Sequence, residues 1–173
     1  MLKVSYIGFN EYLNKIKAAP ANLQKLVDDE VQFASLNFRD GAKRDLANQG
    51  GGNGALMGSI AATNEGVMKA RVSVNLFYAP YVEFGTKKKV KIEPGFEDVA
   101  ASAKGLPKRG TWKDFIASLT VWAGRKGIKG SVYAIARSIM LYGISPKPFF
   151  FKQYTPVRNK LKSRIENLLK SGI

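Results

Sequence analysis

A long helix-forming stretch near the N-terminus constrains the fold more than any other feature of this chain. From Ala21 onward, apolar residues recur every three or four positions, as they do along one face of an amphipathic helix. About 25 helical residues at a rise of 1.5 Å each span roughly 37 Å, which is long for a small domain. Such a helix needs a sheet or a second helix to cover its apolar face. The stripe consists of Leu23, Leu26, Val27, Val31, Ala34, Phe38, Ala42 and Leu46.

A β-hairpin is predicted after this helix, and a short strand-like segment, Lys3 to Ile7, precedes it. Ser59 to Thr63 forms the first hairpin strand, Asn64-Glu65-Gly66 forms the turn, and the residues that follow alternate in polarity, as in a half-buried strand. This antiparallel pair is the expected cover for the long helix. One side of the second strand carries Ala70, Val72, Val74 and Leu76, and the other carries Lys69, Arg71, Ser73 and Asn75.

Helical patterns return in the C-terminal half. No periodicity predicts an element between Thr86 and Gly110, but Thr111 to Arg125 and Ser131 to Tyr142 carry apolar residues at helical spacing. Thr155-Pro156 predicts the start of a last helix, with a capping hydroxyl and a proline in the first helical position. The fold class is therefore α+β: a long N-terminal amphipathic helix packed on a small antiparallel sheet, with a helical insert and a C-terminal helix. We expect a single domain over residues 1–173, in which residues 86–130 form a basic loop and the helical insert.

The composition excludes several kinds of catalytic site. The chain has no cysteine and no histidine, so thiolate metal sites, disulfides and Ser-His-Asp or Cys-His catalysis are absent. A metal-dependent nuclease needs clustered carboxylates, often with a lysine two residues after an acid. None of the 13 acidic residues has a lysine at that position, and the cluster Asp28-Asp29-Glu30 lies on the long helix. We therefore expect no catalysis and no cofactor, with nuclease or hydrolase activity as a remaining alternative.

The net charge of +15 has two interpretations: an anionic partner, which could be nucleic acid, an anionic membrane or an acidic protein, or solvated basic faces without such a partner. The longest largely apolar stretch, Phe115 to Ala123, is about half of the roughly 18–20 residues that a membrane span needs. The N-terminus lacks the apolar run of a signal peptide. These features predict a soluble protein made in a cytoplasm, with no membrane association.

Aromatic residues have two interpretations. Tyr78, Tyr81, Phe84 and the run Phe149-Phe150-Phe151 lie near lysines and could stack on bases, as in single-strand binders. For Trp112 and Trp122, helical spacing favours packing in a core.

Several short motifs occur in a fixed order along the chain. The nonapeptide Tyr78-Ala79-Pro80-Tyr81-Val82-Glu83-Phe84-Gly85-Thr86 follows the hairpin directly, and Pro80 and Gly85 are expected to bracket a tight turn. Gly54-Ala55-Leu56 and Ser59-Ile60 precede it. Downstream come Trp122-Ala123-Gly124-Arg125-Lys126-Gly127, Ala134-Ile135-Ala136-Arg137-Ser138-Ile139, Gly143-Ile144 and Pro146-Lys147-Pro148-Phe149-Phe150. In composition and order these motifs, spanning residues 21–170 with the long helix, resemble the bacteriophage tail-component family of tail-completion and head–tail joining proteins.

The resemblance implies a virion structural protein of the neck or tail of a long-tailed phage, made in the host cytoplasm. Relatives in that position commonly form rings, often hexameric, between the head connector and the tail tube, and they need no cofactor. The expected partners are copies of the chain itself, a head connector or adaptor, and tail proteins. The nonapeptide then supplies the subunit-interface residues, with core packing by Tyr81 and Phe84 as the alternative: Tyr78, Tyr81, Glu83, Phe84, Gly85 and Thr86.

The basic segment after Thr86 is not fixed by the resemblance. Our hypothesis is that Lys87, Lys88, Lys89 and Lys91 face the lumen of a ring or an acidic neighbour, where non-specific contact with packaged DNA would rest on attraction to phosphates. The alternative function is that of a basic nucleic-acid-binding protein whose charge is itself the function.

Overall fold

The computed structural model describes residues 2–5, 16–51, 54–76, 78–86, 92–104 and 111–171. They group into two compact units, of which the first is Met1–Ala79 with Lys147–Ile173 and the second is Pro80–Pro146. The first contains a three-stranded sheet and long helices, and the second consists mainly of helices. The predicted α+β class is confirmed, and the single domain over residues 1–173 stays a prediction.

Helix α1 (Ala21–Leu46) covers the range predicted from the apolar stripe. Its buried positions follow the stripe, apart from Leu26, which lies at the edge of the face and is 36% exposed. Gly41 is buried within this face, and the side chain of Gln153 occupies the space that a Cβ atom would need. A close approach therefore explains this glycine inside a helix. The chain then forms a wound turn, Ala47–Gly51, which is kinked at Gly50 with φ of 75°, and a one-turn helix α2, Ala55–Gly58.

Strands β1 (Leu2–Ser5), β2 (Ile60–Gly66) and β3 (Lys69–Val74) form one antiparallel sheet in the order β1-β3-β2. Val74 lies opposite both Leu2 and Ile60, so β3 is the central strand. The predicted alternation is confirmed at Ala70, Val72 and Val74, which are buried. Ser73 on the other side is also buried, as expected for a small residue in a strand with a neighbour at each edge.

The hairpin turn lies later than the sequence indicates. The prediction of a turn at Asn64-Glu65-Gly66 was wrong, since strand β2 continues to Gly66 and the turn is formed by Val67 and Met68. A bulge between Asn64 and Gly66 adds one residue to β2 and so extends the strand past the turn-forming residues. The Met68 backbone N–H, at a residue with φ of 55°, donates to Asp28 Oδ1 at 2.7 Å. A carboxylate of α1 thus fixes the turn.

The C-terminal helix α7 (Tyr154–Ser171) packs against α1, and Leu161 and Ile165 on α7 are buried. The prediction that Thr155 caps this helix was wrong, because a 3₁₀ turn, Phe151–Gln153, runs directly into it and places Thr155 inside the helix. Pro156 is then the third helical residue, where a backbone N–H has no partner within the helix and its loss costs little.

A cluster of four phenylalanines closes the core of the first unit. Phe38 of α1 and the run Phe149-Phe150-Phe151 are each at most 2% exposed. The Phe150 ring meets Phe38 edge-on at 5.0 Å and Phe151 at 5.3 Å between centroids. Edge-to-face contacts of this kind are favourable beyond the area that they bury. The run that the sequence offered as a base-stacking surface is therefore part of the core.

The second unit contains helices α3 (Ala79–Phe84), α4 (Glu97–Lys104), α5 (Trp112–Arg125) and α6 (Val132–Tyr142), of which α3 begins one residue before the unit. Helix α4 lies in the part of the chain for which no element was predicted, and its eight residues are too few to show a clear stripe. Helices α5 and α6 are confirmed to within one residue of the predicted bounds.

Helices α5 and α6 are joined by a turn that ends α5. Gly127, at φ of 65°, donates from its N–H to the Gly124 carbonyl at 3.1 Å, and the Ile128 N–H donates to the Ala123 carbonyl at 2.9 Å. This pair of bonds is a Schellman motif, which satisfies the last carbonyls of a helix. Ala123 and Ala136 are the buried residues of α5 and α6, and the two helices pack on each other.

We expect Phe150→Ala to lower the free energy of unfolding by about 3–5 kcal/mol, since it removes a fully buried ring and leaves a cavity. Phe33→Ala is the matched control, because Phe33 is 45% exposed and its contact with Arg164 is worth only about 0.5–1 kcal/mol. Urea denaturation of both variants measures the difference. Equal losses would show that the Phe150 contacts do not hold the core.

A pH dependence is expected at the start of α5. Asp114 accepts bonds from the backbone N–H and the hydroxyl of Thr111, at 2.8 and 2.7 Å, and these bonds lower the pKa of its carboxyl. Because the folded pKa lies below the ordinary value of 3.8, this contribution to stability is present above that value. It is lost as pH falls through the lower folded pKa.

Circular dichroism across the acidic range checks this expectation. Asp114→Asn should weaken the cap and remove the corresponding part of the acid dependence of helix content. Thr120→Ala, which removes a hydroxyl bonded to Ile116 in the middle of the same helix, should leave the acid dependence as it is in the original chain. An unchanged profile in Asp114→Asn would contradict the assignment.

Candidate subunit interface

The nonapeptide forms a short helix rather than a tight turn. Ala79–Phe84 is helical, so the prediction that Pro80 and Gly85 bracket a turn was wrong. Pro80 is the second helical residue, where its missing N–H has no partner to lose. Gly85 follows the helix with φ of 67°, a conformation that glycine adopts without steric cost. The segment is therefore a helix with a glycine stop.

The residues after this helix are bonded to a segment far along the chain. The Thr86 backbone N–H donates to the Ile144 carbonyl at 3.2 Å, and the Ile144 N–H donates to the Thr86 hydroxyl at 2.8 Å. A Cβ atom on Gly85 would lie 2.7 Å from the Ile144 carbonyl oxygen and 2.9 Å from Pro146 Cδ. We call this arrangement of Gly85, Thr86, Ile144 and Pro146 the clamp. It unites the end of the nonapeptide with the Gly143-Ile144 and Pro146 motifs.

The six nonapeptide candidates differ in how much surface they expose. Glu83 and Phe84 are 2% and 3% exposed, and Gly85 is also buried. Tyr78 and Tyr81 are partly buried, and burial raises the pKa of the Tyr78 hydroxyl. Thr86 is exposed. The subunit-contact hypothesis stays a prediction, and it rests on the three residues that keep accessible surface. The burial of Phe84 is what the core-packing alternative expects.

The basic candidates Lys87, Lys88, Lys89 and Lys91 lie outside the described residues. Their proposed contact with a lumen, DNA or an acidic neighbour stays a prediction.

An exposed apolar surface on α5, α6 and the turn between them was missed by the sequence analysis. We call it the apolar hairpin. The prediction that Trp112 and Trp122 pack in a core was wrong, since these side chains are 49% and 44% exposed. The fully buried residues of the two helices are small, whereas many of their bulky side chains are exposed. The exposed large apolar residues of this hairpin are Trp112, Val121, Trp122, Ile128, Tyr133, Met140, Leu141 and Tyr142.

A signal for this surface was present in the sequence of α6. Tyr133 and Leu141 fall outside the stripe formed by Val132, Ile135 and Ile139, so the helix is apolar on most of its circumference. A helix of that kind is covered on more than one side in a native assembly. Contiguous exposed apolar surface on a protein marks an interaction site.

Among the described residues, His, Cys, Asp and Glu side chains nowhere form a group of three or more that could hold a metal ion. None of the helices that the structure describes combines the length and the apolar character that a membrane span requires.

Comparisons with models of protein families, with curated proteins and with solved structures found no match to this chain.

We expect Gly85→Ala to destabilise the second unit more than Gly127→Ala. Both glycines have a left-handed backbone, which costs a residue with a Cβ about 1–2 kcal/mol. Only Gly85 also has backbone atoms in the space of the added methyl group, whereas Gly127 has none within 4 Å. Overpacking adds about 1–3 kcal/mol. Thermal unfolding of the two variants measures the excess, and equal destabilisation would contradict the close approach in the clamp.

Proposed function

We propose that this chain is a virion structural protein of a long-tailed bacteriophage, which joins head and tail or completes the tail as a subunit of a ring. The observation that carries the proposal is the clamp. Thr86 ends the nonapeptide and Ile144 belongs to the closing motif, and these two parts of the family resemblance are hydrogen-bonded to each other although they lie far apart in sequence. This contact supports the interpretation that the two motifs belong to one structural unit.

The apolar hairpin supports the ring. Trp122, Tyr133 and Met140 expose large apolar areas, and most of the exposed large apolar residues of the described part of the chain lie on this hairpin. In a ring, each subunit presents one surface to the next copy and a different surface to the previous one. We propose that the apolar hairpin is one of these surfaces and that Tyr78, Tyr81 and Thr86 lie at the rim of a contact. The head connector or adaptor and tail proteins would bind the faces of the ring.

Catalysis has no part in this proposal, and the protein acts by contact alone. A second candidate function, nucleic-acid binding, is favoured by the net charge of +15. In a ring around the DNA path, attraction to phosphates would be independent of sequence and would weaken steeply with salt.

We expect phage particles made without this protein to accumulate as separate filled heads and tails, and particles made with it to contain it. Electron microscopy of lysates and mass spectrometry of purified virions provide the measurements. Complementation by the intact chain is the control. Complete tailed particles assembled without the protein would overturn the proposal.

We expect Tyr133→Glu to abolish assembly of the protein into rings, because a carboxylate in the centre of an apolar contact loses its hydration. Val67→Glu is the matched control, since Val67 is 73% exposed and lies in the β-hairpin turn of the first unit, whereas Tyr133 is 65% exposed. Size-exclusion chromatography with light scattering and negative-stain imaging measure assembly, in the free protein and after addition of heads. Rings formed equally by both variants would exclude the apolar hairpin as a contact.

DNA binding by the free chain distinguishes the second candidate. Tight binding of duplex DNA by a monomer, without rings or virion incorporation, would replace the structural proposal by a nucleic-acid-binding function.

A further inference from the structure

A groove of about 190 Å³ runs between α1 and α7 in the first unit. Its floor is apolar, with Ala34 and Leu161 buried beneath it and Val157 partly buried beside them. We call it the interhelical groove. Neither the motifs nor the apolar hairpin include its residues. The side chains that reach its rim are Phe33, Asn37, Arg44, Lys160 and Arg164.

One end of the groove is fixed by internal contacts. The Arg164 guanidinium donates to both carboxylate oxygens of Glu30, at 2.9 and 3.2 Å, and lies 5.0 Å from the centre of the Phe33 ring. The charge of Arg164 is therefore already compensated, while the Phe33 ring remains 45% exposed. This end offers an apolar contact with a carboxylate beside it.

The rest of the rim carries two exposed cations, of which Arg44 feels the Asp40 carboxylate one helical turn before it. Arg44 and Lys160 are exposed, and neither forms an ion pair with any carboxylate of the described residues. Asp45, next to Arg44 in sequence, is bonded to Lys152 at 3.0 Å and to Gln153. The groove thus combines buried apolar residues with two exposed cations that form no ion pair among the described residues.

We propose that the interhelical groove binds an acidic peptide segment of a partner protein that also carries apolar side chains. Its carboxylates would pair with Arg44 and Lys160, and an apolar side chain would cover Phe33 and the floor. Recognition of this kind uses the groove between two helices and charge complementarity at its rim. The proposal does not depend on the proposed function.

Charge and shape distinguish this occupant from two others. A nucleic acid presents phosphates that would face the Glu30 carboxylate at one end of the groove, and it has no apolar side chain for the floor. A second copy of this chain offers the acidic cluster Asp28-Asp29-Glu30, but Asp28 holds the hairpin turn and Glu30 holds Arg164. Asp29 is the one member of that cluster that is exposed and forms no ion pair among the described residues.

Fluorescence anisotropy with the full chain tests the proposal. The probe is a short fluorescein-labelled peptide in which glutamate alternates with leucine, and the control peptide has glutamine in place of glutamate. We expect only the acidic peptide to bind, and we expect Arg44→Gln and Lys160→Gln each to weaken it about tenfold, as the loss of one charge-assisted contact would. Lys25→Gln and Lys170→Gln remove exposed charges outside the groove and should leave binding unchanged.

Two opposite charge substitutions at Asn37 should change peptide affinity in opposite directions, which a loss of folding would not do. Asn37 is exposed at the rim, so Asn37→Asp should weaken binding of the acidic peptide and Asn37→Lys should strengthen it. Absence of binding, or binding that Arg44→Gln and Lys160→Gln leave unchanged, overturns the proposal.

Two further outcomes would overturn the proposal and identify a different occupant of the groove. If duplex DNA binds more tightly than the acidic peptide and is weakened by the same two variants, the groove is a nucleic-acid site. If Asn37→Asp or Lys160→Gln disrupts self-association of the chain, the occupant is a second copy. If a variant loses peptide binding but still forms rings, the groove and the ring contact are different surfaces, and the proposed function is unaffected.

Discussion

Burial of the apolar face of α1 is the constraint on which the first unit depends. Two different elements share the face of this helix of 26 residues. The sheet packs on the helix, and α7, which arrives from the other end of the sequence, packs beside it. The phenylalanine run before α7 closes the core against Phe38. The second unit is inserted between these two covers in the sequence, so the first unit is complete only when both ends of the chain are in place.

Periodicity explains how much of the fold could be predicted. The α1 stripe and the alternation around Val72 are long enough to determine element type, because 3.6-residue and two-residue repeats differ clearly over such lengths. The hairpin turn could not be placed, because Glu65 adds a bulge that no local pattern reveals. The start of α7 was misplaced for a related reason, because a preceding 3₁₀ turn runs into the helix and places Thr155 inside it rather than at its cap. Local signals identify elements well and their ends less well.

The candidate site shows the same boundary between local and long-range information. The order of the motifs could be read from the sequence, but the contact between Thr86 and Ile144 depends on a closure that no spacing rule gives. The exposure of Trp112 and Trp122 was also beyond prediction by periodicity, since a stripe states which residues share a face and not what covers that face. Only the nearly continuous apolar circumference of α6 indicated that one neighbouring helix would not be enough. The basic residues after Thr86 remain a prediction from charge alone.

The clamp also bears on how such a chain can change over evolution. Because Thr86 is hydrogen-bonded to Ile144, the two ends of the segment between these residues lie close together. The entropy of closing a loop grows only with the logarithm of its length, by about 0.6 kcal/mol for each doubling. Segments of quite different size can therefore be accommodated between these two residues at nearly constant stability. Chain entropy therefore constrains the length of that stretch only weakly, whereas Gly85 at its start has no room for a larger side chain.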